Sequence, residues 1–293
     1  MTFEPNSNAP YNVSWLLTNN CNYSCGFCWR VLDRKKLSLA DALSITQKLA
    51  AAGMSKMSWA GGEPLLFKGL KTLIEETSRL GVETMLITNG ALIDRVWPTG
   101  LPQGLDWLTL PLEGIGDAIN VRAGRQEGHY ERVLKLLDRY RSEPVRLKMN
   151  SVALGFNTKE LLEIPQHLDA WGVERWKVFQ FYPVRGFAEA NRQEYEMSDE
   201  AFEEFRVELL ERCERLDVRA TVVAESTRDL DNSYYTLSPD GCVYVSMDGK
   251  DVYLGDLAKD DPGIIFANPL LDKDKYNERS GWVLEPRRPI WKG

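Results

Sequence analysis

The chain has 293 residues, 43% of them hydrophobic and 27% charged, and carries a formal net charge of −7 at pH 7. This length allows one large domain with a substantial core, and the acidic balance argues against a general nucleic-acid-binding surface. No stretch has the apolar length of a secretory signal or a membrane span, and no polybasic amphipathic segment stands at the start. Three of the five cysteines are clustered, which is typical of a reducing compartment. We therefore expect a cytoplasmic protein with no membrane or nucleic-acid partner.

Predicted strands and helices alternate along the first two thirds of the chain, after an irregular lead-in at 1–12. The strands are predicted at 13–18, 56–60, 82–88, 107–110, 145–152 and 175–182, and the helices between them at 39–50, 70–80, 91–96, 130–141 and 159–171. This alternation favours a parallel sheet with helices outside. A full barrel needs eight strands, so six predict an α/β fold built on a partial (βα)6 TIM-like barrel over 13–185.

The pattern changes after residue 185. An acidic helix is predicted to begin at the N-cap Ser198, and its apolar stripe contains Phe202, Phe205, Leu209 and Cys213, which makes Cys213 a core residue. Short strands with turn residues follow at 234–237, 243–247 and 252–254. We predict that 186–293 forms a C-terminal α/β extension that folds over the mouth of the barrel, including the aromatic end of the chain at 289–291.

Three cysteines, Cys21, Cys25 and Cys28, follow the first predicted strand with the spacing C-x3-C-x2-C. Thiolates suit both iron–sulfur clusters and zinc. Zinc sites usually combine two short cysteine pairs or nearby histidines, whereas here Cys242 is distant and single. The spacing therefore favours a [4Fe–4S] cluster in which the fourth iron has no protein ligand.

A second motif, Gly61-Gly62-Glu63-Pro64, directly follows the second predicted strand. Glycines allow the backbone to approach a ligand closely. An Asn89-Gly90 turn closes the third strand.

These motifs together resemble the radical S-adenosylmethionine (SAM) superfamily, in which the open iron binds the amino and carboxylate groups of SAM. Phe27 falls on the aromatic position of the family's cysteine motif. The resemblance implies that Cys21, Cys25 and Cys28 hold the cluster. It also implies that Phe27, Gly61, Gly62, Glu63, Pro64 and Asn89 contact SAM.

Further residues narrow the resemblance to the viperin-like enzymes over about residues 11 to 240. They are Asn22-Tyr23, Gly53-Met54, Gly124-Arg125, Lys148 to Val152, Arg175 to Gln180 and Ser233-Tyr234. Viperin-like enzymes dehydrate a nucleoside triphosphate, typically CTP, to its 3′-deoxy-3′,4′-didehydro form, a chain terminator used in antiviral defence. The resemblance implies a nucleotide substrate, with UTP or GTP as alternatives to CTP. It also implies a one-electron donor of the flavodoxin or ferredoxin type.

Basic residues recur at alternate positions on three predicted strands. Side chains alternate faces along a strand, so the apolar set should face the helices and the basic set the lumen. The four cations are Lys56, Lys148, Arg175 and Lys177, which we call the basic cluster. Repulsion among buried cations would cost several kcal/mol without an anion, and a triphosphate supplies one. The alternative is that some of these cations pair with Asp or Glu at the rim of the barrel. By resemblance these four bind the triphosphate and Asn150 lines the nucleoside site, with Arg185 as a further candidate.

The sequence also departs from the viperin-like pattern. Arg125 matches the arginine that holds the SAM carboxylate, but Pro111 replaces its serine partner, and Ser14 replaces a substrate-contacting asparagine. Tyr234 aligns with a tyrosine proposed to donate at the end of the reaction. Two alternatives stay open. One is another radical SAM reaction, such as peptide modification or radical activation, and the other is a non-catalytic zinc protein using the three clustered cysteines and Cys242.

Overall fold

The computed structural model describes residues 12–30 and 34–280. The lead-in is therefore outside the described residues except for Asn12, and so is the predicted aromatic end of the chain. The strands are β1 Asn12–Leu16, β2 Lys56–Ala60, β3 Glu83–Ile87, β4 Trp107–Pro111, β5 Arg146–Ala153, β6 Val173–Gln180, β7 Thr221–Glu225, β8 Thr236–Leu237, β9 Cys242–Met247 and β10 Lys250–Asp256. The longer helices are α1 Leu39–Ala51, α2 Leu70–Arg79, α5 His129–Tyr140, α9 Asp199–Arg215 and α12 Lys273–Ser280. The shorter helices are α3 Ile93–Val96, α4 Asp117–Arg122, α6 Thr158–Leu162, α7 Gly186–Ala190, α8 Arg192–Tyr195, α10 Thr227–Leu230 and α11 Pro262–Phe266.

All ten strands belong to one sheet, in the order β10-β9-β8-β1-β2-β3-β4-β5-β6-β7. Strands β1 to β7 are parallel to their neighbours, β8 runs parallel to β1, and β9 and β10 form an antiparallel hairpin. The six predicted parallel strands are all present. The predicted extension is thus joined edge to edge to the barrel strands, through β8 on one side and β7 on the other. The division at residue 185 stays a prediction.

Two local differences from the sequence expectations have simple physical causes. Strand β7 was not predicted, because its sequence Thr-Val-Val-Ala-Glu is a short apolar run without an alternating pattern. The helix predicted at 159–171 is instead α6 followed by a separate 3₁₀ turn at Pro165–His167. Proline lacks the N–H that a continuous helix needs there. Helices α1 and α9 begin as predicted, since Ser38 and Ser198 accept hydrogen bonds from Asp41 N–H and Ala201 N–H.

The strands bury one face against the helices. Met57, Trp59, Met149, Trp176 and Val178 are buried in the main core, packed with apolar residues of α1, α2, α5 and α9. Cys213 is buried in the same core, as its place on the apolar stripe of α9 predicts. The alternate residues of β2, β5 and β6 consequently point to the opposite, concave face. In the described part of the chain no helix is long and apolar enough to cross a membrane.

The last described helix is fixed to the first strand by a single side chain. Tyr276 on α12 is buried, and its hydroxyl donates to the Asn12 carbonyl at 2.7 Å while accepting from the Asn12 N–H. Its ring packs edge-on against Tyr235. This contact holds α12 against the edge where β8 meets β1.

We expect Tyr276→Phe to lower the melting temperature by roughly 2–4 °C, because two buried backbone groups of Asn12 lose their partner. Tyr253→Phe is the matched control, since Tyr253 is 54% exposed and should give no change. Thermal unfolding followed by circular dichroism measures both. Equal melting temperatures for the two variants would show that the hydroxyl bridge contributes no stability.

Candidate active site

One cavity of about 360 Å³ lies on the concave face of the sheet. Its wall includes inward-facing residues of β1 to β6 and β8, together with loops that follow the carboxyl ends of the strands. Of the predicted site residues, Cys21, Cys25, Cys28, Phe27, Gly61, Gly62, Asn89, Arg125, Lys56, Lys148, Asn150, Lys177, Arg185 and Tyr234 line it. Glu63, Pro64 and Arg175 do not. The sheet therefore brings most of the predicted residues to a single cavity, although they are spread over more than two hundred positions.

The cysteine loop, residues 21–28, forms one end of this cavity. Burial raises the pKa of the Cys25 thiol to about 11 and also raises the pKa of Cys21. Two backbone donors point at sulfur: Tyr23 N–H lies 3.3 Å from Cys21 Sγ, and Arg30 N–H lies 3.4 Å from Cys28 Sγ. Backbone N–H groups directed at sulfur are one of the means by which proteins stabilise and tune iron–sulfur clusters.

The thiols fit a cluster better than a single ion. Within residues 12–30 and 34–280, no three His, Cys, Asp or Glu side chains converge closely enough to hold one metal ion. A cubane presents a separate iron to each thiolate, so three separated thiols on one cavity wall match its requirement. Cys21, Cys25 and Cys28 are the residues that would hold it.

The glycine pair is required by close packing against residues 18–20, which directly precede the cysteine loop. Gly62 N–H and Glu63 N–H donate to the carbonyls of Thr18 and Asn20. A Cβ on Gly62 would lie 2.1 Å from the Asn20 carbonyl oxygen, and Gly61 has φ +145°. No other residue type fits both positions without moving the chain. The glycine motif is thus in direct backbone contact with the segment that leads into the cysteine motif.

Glu63 is fully buried behind the cavity wall, where it connects two loops. Its carboxylate accepts from Thr88 Oγ at 2.7 Å, from Asn89 N–H at 3.0 Å and from Leu65 N–H at 3.1 Å. Burial raises the pKa of Glu63, and these hydrogen bonds oppose the rise. The contacts leave Asn89 facing the cavity, with its side-chain amide donating to Asn22 Oδ1 at 2.8 Å. Glu63 therefore orders the loops around the cavity.

Arg125 has a partner that the sequence analysis missed. Its Nε and Nη2 donate to the two carboxylate oxygens of Glu113 at 2.7 and 2.9 Å. The guanidinium also lies over the Phe27 ring, 5.1 Å from its centroid. Although burial alone would lower it, the pKa of Arg125 is raised by Cys25 and Glu113. Glu113 could have been found from its spacing, because it stands two residues beyond Pro111 at the end of β4, on the same face.

Pro111 stands where the viperin-like pattern has serine, and it lines the cavity. Its backbone carbonyl contacts a buried histidine. His129 Nε2 lies 3.0 Å from the Pro111 carbonyl, and its Nδ1 lies 3.3 Å from the Tyr23 hydroxyl. Burial and the nearby Arg125 lower the pKa of His129 to about 3, so the ring is neutral, with Nε2–H donating to Pro111. Arg132 donates to the same Tyr23 hydroxyl at 2.7 Å. This chain of contacts joins the cysteine loop to β4.

The basic cluster lies toward the amino ends of the strands. Lys56 Nζ is 3.0 Å from Glu83 Oε1, and Lys177 Nζ is 2.6 Å from Glu225 Oε1. Arg175 is buried beside Lys148 in the sheet register but is not part of the cavity wall. The sequence analysis did not identify Glu83 or Glu225. Strand register alone could have suggested Glu83, which pairs directly with Lys56.

Lys148 is the most isolated cation of the basic cluster. It is buried, and its contact at hydrogen-bonding distance is the Met85 sulfur at 3.9 Å. No carboxylate of the described residues lies within ion-pair distance of it. Burial, followed by repulsion from Lys177, Lys56 and Arg175, lowers the pKa of Lys148 well below its usual value. This position favours an incoming anion.

The remaining residues from the sequence analysis are Arg185, Ser14, Asn150 and Tyr234, and they differ in their contacts. Arg185 is engaged on both sides, because its Nη1 pairs with Asp251 of β10 and its Nε donates to the Trp29 carbonyl. Ser14, Asn150 and Tyr234 also line the cavity. The Asn150 side-chain oxygen is buried without a hydrogen-bond partner in the described structure. Arg185 thus contacts the hairpin, while the other three face the space available to a ligand.

Replacing Lys148 by methionine should stabilise the unliganded protein at pH 7 by on the order of 1–3 kcal/mol, because it removes a buried charge that lacks a counterion. Burial also lowers the pKa of Lys56 to about 7, so both lysines bind fewer protons in the folded than in the unfolded state. Stability of the wild type therefore rises with pH from about 7 toward 10, and this rise should be smaller in Lys148→Met. Urea titrations at pH 7 and pH 10 measure the effect.

Lys159→Met, at an exposed position, is the control and should change neither quantity. A loss of stability in Lys148→Met at pH 7 would mean that the ammonium group already has a stabilising partner.

Comparison with known proteins agrees with this geometry. The model of the radical SAM superfamily matches residues 15–168, more than half of the chain. A protein of Flammeovirga pacifica named S-adenosylmethionine-dependent nucleotide dehydratase is 27% identical over 282 residues, covering 92% of this chain and 94% of the relative. A Danio rerio protein named S-adenosylmethionine-dependent nucleotide dehydratase RSAD2 is 29% identical over 243 residues, covering 78% and 65%.

Solved structures support the fold. Streptococcus suis SuiB bound to S-adenosylmethionine has a TM-score of 0.70 at 15% identity, covering 93% of this chain and 68% of SuiB. The enzyme anSMEcpe with bound AdoMet has a TM-score of 0.66 at 16% identity, covering 92% and 79%. At these identities the likeness concerns the fold alone, and it confirms the predicted partial barrel. From the family match and the fold together, the chain belongs to the radical SAM superfamily of enzymes.

Proposed function

We propose that the protein is a viperin-like enzyme that uses a [4Fe–4S] cluster and SAM to dehydrate a nucleoside triphosphate. CTP is the first candidate substrate, with UTP and GTP as alternatives, and the product is the 3′-deoxy-3′,4′-didehydro nucleotide. The observation that carries the proposal is one cavity with a three-cysteine loop at one end and a buried basic cluster at the other. The names of the relatives support it.

The cysteine end is suited to the cofactors. Cys21, Cys25 and Cys28 would hold the cluster, and Gly61, Gly62, Asn89, Phe27 and Arg125 surround the adjoining space. When bound, the cluster and SAM supply the one-electron chemistry that is characteristic of the superfamily. Tight packing of the glycine loop against residues 18–20 keeps the backbone groups of the SAM site in place before the ligand arrives. Glu63 acts in the proposal as an organiser of this loop.

The opposite end is suited to a polyphosphate. Lys148 lies at the centre of the basic cluster, and three further cations raise the positive potential around it. An anion placed there gains attraction in a site that excludes most water, so it binds more strongly than at the surface. An uncharged substrate would not offset the repulsion among the cations of the basic cluster. The protein is acidic overall, so the local excess of cations is specific to the cavity.

A nucleotide anchored at both ends would place its ribose in the middle of the cavity. Ser14, Asn150 and Tyr234 line the cavity and are candidates to contact the ribose. The reaction removes one water, with the 3′-hydroxyl as the leaving oxygen, so a group able to deliver a proton or hydrogen must be close to the ribose. Tyr234 lines the cavity and carries a phenolic hydroxyl, which supports its assignment to that role. The electron source would be a flavodoxin- or ferredoxin-type protein.

The direct test uses cluster-loaded enzyme with reductant, SAM and an equimolar mixture of CTP, UTP, GTP and ATP, analysed by mass spectrometry. We expect one nucleotide to lose the mass of a water, together with an equal amount of 5′-deoxyadenosine. Cys25→Ser should form neither product. Formation of 5′-deoxyadenosine without any dehydrated nucleotide would refute the proposed substrate class.

Metal analysis of the anaerobically purified protein tests the cofactor independently. Iron with acid-labile sulfide is expected, and both should fall sharply in Cys25→Ser. Stoichiometric zinc without sulfide would contradict the proposal and favour the zinc-binding alternative.

Tyr234→Phe should reduce the dehydrated nucleotide at least tenfold in a single turnover, while 5′-deoxyadenosine still forms, because the loss of the phenolic O–H affects a late proton or hydrogen delivery. Tyr182→Phe is the control, since Tyr182 also lines the cavity but its hydroxyl donates to Asp231 Oδ1 at 2.6 Å. Wild-type product yield in Tyr234→Phe would remove Tyr234 from the chemistry.

A further inference from the structure

The position of Arg125 raises a question that the sequence motifs leave open. Arg125 borders the cavity next to Phe27, but Pro111 cannot offer a hydroxyl to it. An arginine side chain has many rotamers, and holding it in one geometry requires a fixed partner. The described structure supplies that partner on the same strand end, at Glu113.

Glu113 is itself held rigidly. Its side chain is 1% exposed, its N–H donates to Asn120 Oδ1 at 2.9 Å, and its carbonyl accepts from Asn157 Nδ2 at 2.9 Å. Both asparagines are fully buried and make further backbone contacts. Asn120 also accepts, through its own carbonyl, the N–H of Arg125. Asn120 therefore contacts the backbone of both members of the Arg125–Glu113 pair, and Asn157 contacts the backbone of Glu113.

The geometry of the pair leaves part of Arg125 available. The guanidinium has five N–H groups, of which two donate to Glu113. The other three, both on Nη1 and one on Nη2, are outside the pair. The bidentate pair fixes the guanidinium plane, because parallel N–H···O bonds to a carboxylate allow little rotation. A second carboxylate could bind at the Nη1 side without displacing Glu113.

We propose that Glu113 is a positioning residue that holds Arg125 in the orientation needed to bind the carboxylate of SAM. In this role Glu113 replaces, as the partner of Arg125, the serine hydroxyl that Pro111 lacks. The proposal rests on the assignment of Arg125 to SAM within the proposed function, and it does not depend on the nucleotide. Glu113 acts through Arg125, with no contact of its own to the reacting atoms.

The test compares SAM with decarboxylated SAM, which lacks the group that Arg125 would bind. Binding to the cluster-loaded, unreduced protein is measured by calorimetry in the absence of nucleotide. Glu113→Gln should weaken SAM binding about tenfold, because one arm of the bidentate pair and its charge are lost. The affinity for decarboxylated SAM should stay at the wild-type value, which also shows that the variant is folded.

Glu174→Gln is the matched control, since Glu174 pairs with Arg146 at 2.9 Å near the start of β6, away from the cysteine loop. It should bind both ligands as the wild type does. Glu113→Asp keeps the negative charge on a side chain that is one methylene shorter. We expect an intermediate loss of affinity for SAM and no loss of affinity for decarboxylated SAM. Unchanged or tighter SAM binding in Glu113→Gln would overturn the proposal, as would an equal loss for both ligands. Failure of nucleotide dehydration would leave this result unaffected, so the two proposals can be refuted separately.

Discussion

Burial of positive charge on the concave face of the sheet is the constraint around which this structure is built. Lys56, Lys148 and Lys177 are each less than 5% exposed, in a protein whose net charge is negative. Taking an ammonium group out of water is expensive unless a partner repays the loss. Glu83 pairs with Lys56 and Glu225 pairs with Lys177, whereas Lys148 is repelled by the neighbouring cations. Selection for stability alone would not preserve this buried positive charge. Such a cost in stability is expected at a site where it favours binding.

At the end of the cavity formed by the cysteine loop, buried carboxylates hold the surrounding loops in place. Glu63 joins the glycine loop to the turn at residues 88–89, and Glu113 fixes Arg125 above Phe27. Neither carboxylate is exposed, and each accepts at least two hydrogen bonds. A loop held in this way loses little additional entropy when a ligand binds, which favours affinity. The neutral His129 makes a comparable connection between Tyr23 and the end of β4.

The two ends are joined by the alternation of side chains along parallel strands. On β2, β5 and β6 the apolar residues enter the core and the polar residues enter the cavity. Loops after the carboxyl ends of the strands add the cysteines and glycines, and lysines nearer the amino ends form the floor. In the register of β5 and β6, Lys148 pairs with Arg175 and Asn150 pairs with Lys177. One cavity therefore contains both a cofactor region and a polyanion region.

The sequence by itself determined the strand and helix alternation, the buried faces and the two signature loops, because these depend on local spacing and on period-two and period-3.6 patterns. It also indicated that Lys56, Lys148 and Lys177 would face the lumen, although Arg175, predicted with them, does not line the cavity. Only the tertiary structure decided which acidic residues meet them. Glu225 carries no local signal of its own, since an acidic residue in a strand or loop is usually solvated. Glu83 and Glu113 have only a weak signal, from strand register and from spacing beyond Pro111. It likewise decided that Arg185 contacts the β9–β10 hairpin and that Glu63 lies behind the cavity wall. Such partnerships depend on contacts between residues up to 66 positions apart in the chain, as for Arg185 and Asp251, and only packing in three dimensions selects them.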